Sequence, residues 1–357
     1  MLSRRTVTLG LAAAPLAACA TRDAYGEAVT ATWRLIEPDG PSFPARALVH
    51  AATLAANSHN TQPWRFVVEG QAIRIQPDFA RRTPVVDPDD HHLFASLGCA
   101  AETLLQAAPH YGWRGQIESF DRSGGVRLAL ERTARPDVAL ASAIPRRAST
   151  RGEYDGRPAP VALLRALQRA GPDTVDTVLI TDRARLEQAT EFIVRGNAAQ
   201  VRSADFRREL KAWIRFDGAE AARRRDGLYA ASSGNPTLPR ALGALAFDLA
   251  FTEKGETDKI VRQMRSSAGL AVFAAATNDP RGWLEAGRAY TRFALTAEMA
   301  GLRTAFLNQP VEDAATRGPF AAWLGTSGRR PDLVVRFGQG PGLPRSLRRP
   351  VRDVLSA

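Results

Sequence analysis

Lysine is almost absent. Of 48 basic residues only Lys211, Lys254 and Lys259 are lysines, and the rest are arginines. A GC-rich genome gives that bias as readily as selection for nucleic acid does. The net charge of +11 would attract acidic partners in general. It is spread along the chain, however, and its densest runs, Arg223-Arg224-Arg225 and "RSLRRPVR" at 345–352, are short. No nucleic-acid surface is expected. Cysteine is scarcer still, with Cys19 and Cys99 the only two, so a disulfide framework is excluded. The five histidines (His50, His59, His91, His92, His110) make no metal-ligand spacing with Cys, Asp or Glu. The acidic pair Asp89-Asp90 before His91-His92 reads as the start of a helix. A Walker loop and a Gly-x-Ser-x-Gly elbow are both missing. "GQGPG" at 338–342 misplaces the third glycine of a dinucleotide loop and reads as a turn after a strand. These absences leave no support for hydrolysis or metal catalysis; an enzyme built on this chain would rely on an organic cofactor.

The N-terminus differs from the rest. "MLSRRTVTLGLAAAPLAAC" carries Arg4 and Arg5, then thirteen uncharged residues from Thr6 to Ala18, then small residues before Cys19. This is the pattern of a signal peptide, too short for an ordinary membrane span. Ser3-Arg4-Arg5 before "TVTLG" resembles a twin-arginine export signal, and "LAAC" at 16–19 resembles a lipobox with Cys19 as the lipidated residue. A Sec signal with incidental arginines is the alternative. The expected location is the periplasm, with a lipid at Cys19 as the only membrane attachment. Cys99, in the apolar "LFASLGCAAETLLQAA", reads as a small buried residue.

The remaining chain has 45% hydrophobic and 24% charged residues, an ordinary globular balance. Residues 20–44 read as a linker, broken by "EPDGPSFP" at 37–44. "ARALVHAATLAAN" (45–57) is helix-forming, and "WRFVVEGQAIRIQPD" is a hairpin turning at Glu69-Gly70. A long apolar helix spans 90–111, and a second hairpin turns at Ser123-Gly124-Gly125. A new unit starts near 144. Helices are expected at "VALLRALQRAG", "RARLEQATEFIVRGNAAQ", "SADFRRELKAWIRF" and "DPRGWLEAGRAYTRFALTAEMAGL", and strands at "DTVLITD", "GLAVFAAAT" and "DLVVRFGQG". Residues 217–244 read as an irregular insertion of the kind that forms a lid. Mixed helices and strands make the class α+β. The absence of a short-period repeat excludes solenoids and propellers.

"NSHNTQPWRF" at 57–66 packs six polar residues into a loop that ends in Pro-Trp and runs into a strand. Taken alone it is a turn or a ligand cradle. Its "SHNTQPWRF" is similar to the Ser-x-x-Asn-x-Gln-Pro-Trp-x-Phe motif of the nitroreductase-like flavoprotein superfamily. "RRASTR" at 146–151 resembles the same superfamily's Arg-x-Ser-x-Arg/Lys start. "DPRGWLEAGRAYTRFALTAEMAGLRTAFLNQPVE" and the C-terminal "RRPVRDVL" resemble its Acg-type branch, a single chain of two fused nitroreductase-like halves. The resemblance covers roughly residues 45–355. It implies a first half at 45–143, a second at 144–357, and one FMN site across a pseudo-dimer seam of a monomer. Only the first half carries the Ser-x-x-Asn loop, and only the second carries the arginine cluster.

The resemblance implies the following roles. Arg147 and Arg151 grip the FMN phosphate through paired hydrogen bonds, and Arg348, or its neighbours Arg345 and Arg349, closes the other side. Ser149 donates to a ribityl or phosphate oxygen. Asn57, Ser58 and Asn60 meet the polar edge of the isoalloxazine, whose alternating donors and acceptors an amide matches. Gln62 joins them or only holds the loop, and Trp64 is a packing anchor. Asn308 and Gln309 stand near the ring's reactive nitrogen. Without the resemblance, Arg146-Arg147 reads as a solvated pair at a domain junction and Arg348-Arg349 as a basic tail. Simple nitroreductases often have Pro before a Ser-Ser pair, where this chain has Ala56 and Asn57. No side chain is assigned catalysis. The expected activity is FMN-dependent oxidoreduction, from NAD(P)H or another donor to an unnamed small acceptor. The alternatives are a flavin-sequestering protein under the 217–244 lid, and an anion-binding lipoprotein without flavin.

Overall fold

The computed structural model describes residues 24–356 apart from 122 and 327. The signal and lipobox reading of residues 1–19, including Arg4, Arg5 and Cys19, lies outside the described residues. Two sheets organise the chain. In the first half, β1 (Trp64–Glu69) and β2 (Ala72–Pro77) form the hairpin that turns at Gly70, and β3 (Trp113–Phe120) pairs with β4 (Val126–Arg132). Alternation sets the buried face: Trp64, Phe66, Ile73, Ile75, Val126 and Leu128 point inward. The second sheet runs β5 (Val175–Ile180), β8 (Gly269–Ala275), β10 (Leu333–Gly338), β9 (Arg303–Phe306), antiparallel throughout. Its central strands β8 and β10 are buried along their whole length. Ala271, Phe273 and Val335 face one apolar cluster, and Leu270, Val272 and Val334 face another.

The helices are α1 (24–32), α2 (Ala45–Thr53), α3 (His91–Ala107), α4 (Val161–Gln168), α5 (Arg183–Arg202), α6 (Ala204–Trp213), α7 (Gly218–Arg224), α8 (Arg240–Ala250), α9 (Glu253–Arg265), α10 (Pro280–Met299), α11 (Gln309–Glu312) and α12 (Ala314–Leu324). Every described residue of α3 except Gln106 is buried, which makes it a central helix rather than an amphipathic surface one. It packs against α10, and both backbones meet at glycine. A Cβ on Gly98 would lie 1.9 Å from the Leu284 carbonyl oxygen, and one on Gly287 would lie 1.9 Å from that of Ala95. Cys99 is buried in this contact, where its thiol approaches the Gly287 carbonyl at 3.3 Å and burial pushes its pKa up to about 11.

Several features differ from the sequence expectation or go beyond it. The two halves share a core: one apolar cluster runs from Leu48 through α3 and α10 to Phe337. The boundary near 144 is also crossed, because β11 (Leu355–Ser356) returns to pair in parallel with β1. Residues 24–44 are more than a linker. Tyr25 exchanges hydrogen bonds with the Arg345 backbone, and the Trp33 indole donates to Ser346. The stretch 217–244 is not irregular throughout: it holds α7, β7 (Leu228–Tyr229), which pairs in parallel with β6 (Ile214–Arg215) just before the stretch, a 3-10 turn at Ala230–Ser233 and the start of α8. Its Gly, Ser, Asn and Pro residues concentrate at 232–239, between these elements. The acidic pair Asp89-Asp90 stands at the start of α3 as expected, with Asp90 at the N-cap position, but neither side chain accepts a helix N–H. Asp89 pairs with Arg330 and Asp90 with Arg82, while Asp87 accepts the His92 and Leu93 N–H groups at 3.0 Å each.

Candidate functional site

The loop after α2 is held in a costly shape. His59, Asn60 and Gln62 all have positive φ (45°, 54° and 55°), a conformation that persists only where surrounding bonds over-determine it. Those bonds come from the loop's own amides. Asn60 donates both amide hydrogens, to Gly227 O at 2.7 Å and Leu347 O at 2.9 Å, and its oxygen accepts from Arg348 at 2.6 Å. Gln62 is fully buried; it donates to Arg225 O at 2.9 Å and accepts from the Arg349 N–H at 2.7 Å. Asn57 accepts the Gln62 N–H at 2.8 Å. Trp64 is fully buried behind them.

These bonds correct two expectations drawn from the sequence. The Asn60 amide, expected at the edge of a ring, has no hydrogen left to give, and Gln62 lines neither cavity described below. Both fasten the loop to segments far away in the chain. Arg349, offered as an alternative to Arg348, lines neither cavity and turns instead toward the buried Asp78 and the Asp353 carbonyl.

Two cavities meet at this loop, with Ala56, Asn57, Arg151 and Leu228 lining both. The smaller, about 50 Å³, is walled by Arg147, Ser149, Arg151, Arg345 and Arg348. Among the described residues none of these four arginines has a carboxylate partner. Arg348 is 7% exposed and points at backbone: it donates to Thr53 O at 2.8 Å and Ala55 O at 3.0 Å, at and just past the C-terminal end of α2. Arg147 does the same to Leu54 O at 2.8 Å, and its other terminal nitrogen is buried with no partner. Arg345 donates to the Pro145 and Arg146 carbonyls. Trp33 lies under the Arg345 and Arg348 guanidiniums at 4.9 and 4.7 Å. Burial, then repulsion from Arg147 and Arg345, drives the Arg348 pKa well below its ordinary value. Among the described residues the Arg151 guanidinium has no hydrogen-bond or ion-pair partner; burial lowers its pKa as well. Four cations held together without an anion of their own form a site for an external one, and guanidiniums favour phosphate or carboxylate oxygens.

The larger cavity encloses about 380 Å³. Its polar side carries Asn57, Ser58, His59, His92, Asn308 and Gln309. Asn308 accepts the Val334 N–H at 2.9 Å, which fixes the start of α11 against β10, and the Gln309 oxygen is buried without a partner. His59 is held neutral: burial, then the nearby Arg151 charge, lowers its pKa to about 4. Much of the apolar lining comes from 206–251, including Phe206, Ile214, Phe216, Phe247 and Phe251, beside Ser233 and Asn235 from the same stretch. The structure therefore brings together Asn57, Ser58, Asn60, Arg147, Ser149, Arg151, Asn308, Gln309, Arg345 and Arg348 around two joined spaces. Sequence patterns missed Trp33, His59 and His92 as lining groups. The only signal for Trp33 was an aromatic residue in a supposed linker.

The chain is 27% identical over 327 residues to "Putative NAD(P)H nitroreductase Rv3131" of Mycobacterium tuberculosis, across 87% of this chain and 90% of that protein. It is 24% identical over 323 residues to "Putative NAD(P)H nitroreductase acg" of the same organism, across 87% and 94%. No protein-family model matches the chain. Among solved structures, it aligns with the FMN-dependent nitroreductase NfnB of Mycobacterium smegmatis in complex with NADPH over 57% of this chain and 87% of that one, at 15% identity and a TM-score of 0.38. A nitroreductase with bound FMN from Desulfitobacterium hafniense aligns over 61% and 97%, at 12% identity and the same TM-score.

Proposed function

We propose that this chain binds one FMN across the two joined cavities and works as an FMN-dependent oxidoreductase of nitroreductase type. The observation that carries the proposal is the group of four buried or half-buried arginines with no carboxylate partner among the described residues, beside a larger cavity lined by both polar and apolar side chains. The likeness to two nitroreductase-named proteins over most of the chain supports it. Arg147, with its unpartnered nitrogen, and Arg151 would hold the phosphate, with Ser149 beside them and Arg345 and Arg348 supplying charge from behind. Asn57, Ser58 and the Gln309 side chain would meet the polar edge of the ring. When bound, the flavin supplies hydride exchange between a donor, for which NAD(P)H is the first candidate, and a small acceptor. The protein's own contribution is orientation and exclusion of water: the 206–251 wall offers an apolar face to an aromatic substrate. His59 stays neutral at pH 7 and adds no charge against Arg151. The proposal includes a monomer that carries the whole site, and export to the periplasm with lipid at Cys19. The mass of the mature N-terminus tests the export part.

The purified protein is expected to be yellow and to release FMN on heating. Arg151→Gln is the decisive variant, because the Arg151 side chain has no partner within the fold to lose. Loss of one charge-assisted hydrogen bond, about 1.5–3 kcal/mol, weakens FMN binding roughly 10–150-fold. A colourless protein that ignores added FMN, or equal affinity in Arg151→Gln, overturns the proposal. A second reading, flavin held without turnover, is favoured by the wall that 206–251 builds along one side of the cavity. Anaerobic NADH or NADPH separates the two: bleaching of the flavin band supports the oxidoreductase, and an unchanged band with both donors supports sequestration.

A further inference from the structure

We infer that Asp87, His91, His92 and Glu312 bind one divalent transition-metal ion where the start of α3 meets the end of α11. The residues come from both halves of the chain. One ligand atom from each of Asp87, His91 and His92 lies within 4.8 Å of the others, and all three residues are buried. His92 Nδ1 stands 3.6 Å from Glu312 Oε1 and 3.9 Å from Asp87 Oδ1. Four N and O donors at about 2.0–2.1 Å from a tetrahedral Zn²⁺ are separated by roughly 3.3 Å, so the two His92 pairs would each contract by some tenths of an ångström, and Glu312, which lies outside the three-residue group, would swing in to complete the four.

Four further observations point to a ligand. His92 is 4% exposed, yet neither ring nitrogen has a hydrogen-bond partner; a buried imidazole left that way is costly unless something fills its lone pair. His91 is 1% exposed and has one nitrogen committed: Nε2 lies 2.8 Å from Asp332 Oδ1, while Nδ1 is buried without a partner. A carboxylate behind a histidine is the arrangement that fixes the tautomer and orientation of a metal ligand. Asp332 is itself held, by the Ala275 N–H at 2.6 Å. The Asp87 carboxylate is oriented in the same way, since each oxygen accepts one backbone N–H at the start of α3 and keeps a second lone pair. Lastly, no Arg or Lys among the described residues forms an ion pair with Asp87 or Glu312. Two neutral imidazoles and two carboxylates suit Zn²⁺ or a neighbouring first-row ion, and bound charge would balance the acids. His92 and Glu312 also line the larger cavity, so the ion would stand at its edge. The competing account is a cluster of side chains in loose contact with no metal between them.

The test uses the whole chain, stripped with a chelator, and is independent of the flavin. Zn²⁺ is added in competition with a chromophoric chelator, and bound metal is measured by elemental analysis after desalting. The expected result is one Zn²⁺ per chain, with Co²⁺ giving the intense visible bands of a four-coordinate ion. His92→Gln and Glu312→Gln should each abolish stoichiometric binding. Asp332→Asn, which touches no metal, should weaken it by about 10–100-fold. Failure of the folded wild-type chain to take up one equivalent overturns the inference. Equal affinity in both His92→Gln and Glu312→Gln overturns it as well, because the metal is then bound elsewhere.

Discussion

At the scale of single residues, arginine does two kinds of work around the smaller cavity. Arg348 and Arg147 satisfy carbonyls at and just past the end of α2, and Arg151 satisfies nothing within the fold. The two kinds predict opposite stability effects. Arg348→Ala orphans Thr53 O, Ala55 O and the Asn60 amide oxygen, and should cost about 3 kcal/mol or more in urea unfolding. Arg151→Gln should leave the flavin-free protein no less stable, since it removes an uncompensated buried charge. Residue types alone could not show this difference. "RRASTR" and "RSLRRPVR" display equivalent arginines in the sequence, and only the fold turns Arg348 toward the smaller cavity and Arg349 toward Asp78.

At the scale of elements, the contact between α3 and α10 carries the joint between the halves. Gly98 and Gly287 let each backbone approach the other, so Gly98→Ala or Gly287→Ala must push the helices apart despite alanine's better helix propensity. Each should lower the unfolding free energy by about 1–3 kcal/mol, read as a shift of the urea midpoint at unchanged slope. The elements themselves were largely legible. Alternation found both first-half hairpins, and apolar composition found α3 and α10. The 217–244 region was not legible, because α7 and β6/β7 are too short to show a period and take their order from packing. The loop at 57–62 was legible as a site but not in detail. Its strained φ values and the inward commitment of Asn60 and Gln62 depend on Gly227, Arg225 and residues 347–349, which no local pattern connects to it.

At the scale of the whole molecule, buried histidines tie stability to pH. Folding lowers the pKa of His59 to about 4 and that of His91 well below its ordinary value, in both cases chiefly through burial. The unfolded chain therefore takes up protons near pH 6.5 that the folded one refuses. Stability is complete above that pH and falls as acid approaches pH 4. Asp332, raised to about 7 by burial, acts in the opposite sense over part of this range, because the folded state holds its proton. The measurement that isolates His59 is the urea midpoint of wild type and His59→Asn at pH 7 and pH 5: the variant should lose less on acidification. The sequence by itself determined the α+β class, most of the elements, the loop at 57–66 and the arginine clusters at 146–151 and 345–349, because each is written in a local period or a short run of residue types. Only the tertiary structure decided which arginines face the cavity, that the two halves share one core, and that Glu312 stands beside His92. Those outcomes depend on burial and on meetings between distant segments, and neither leaves a trace in local spacing.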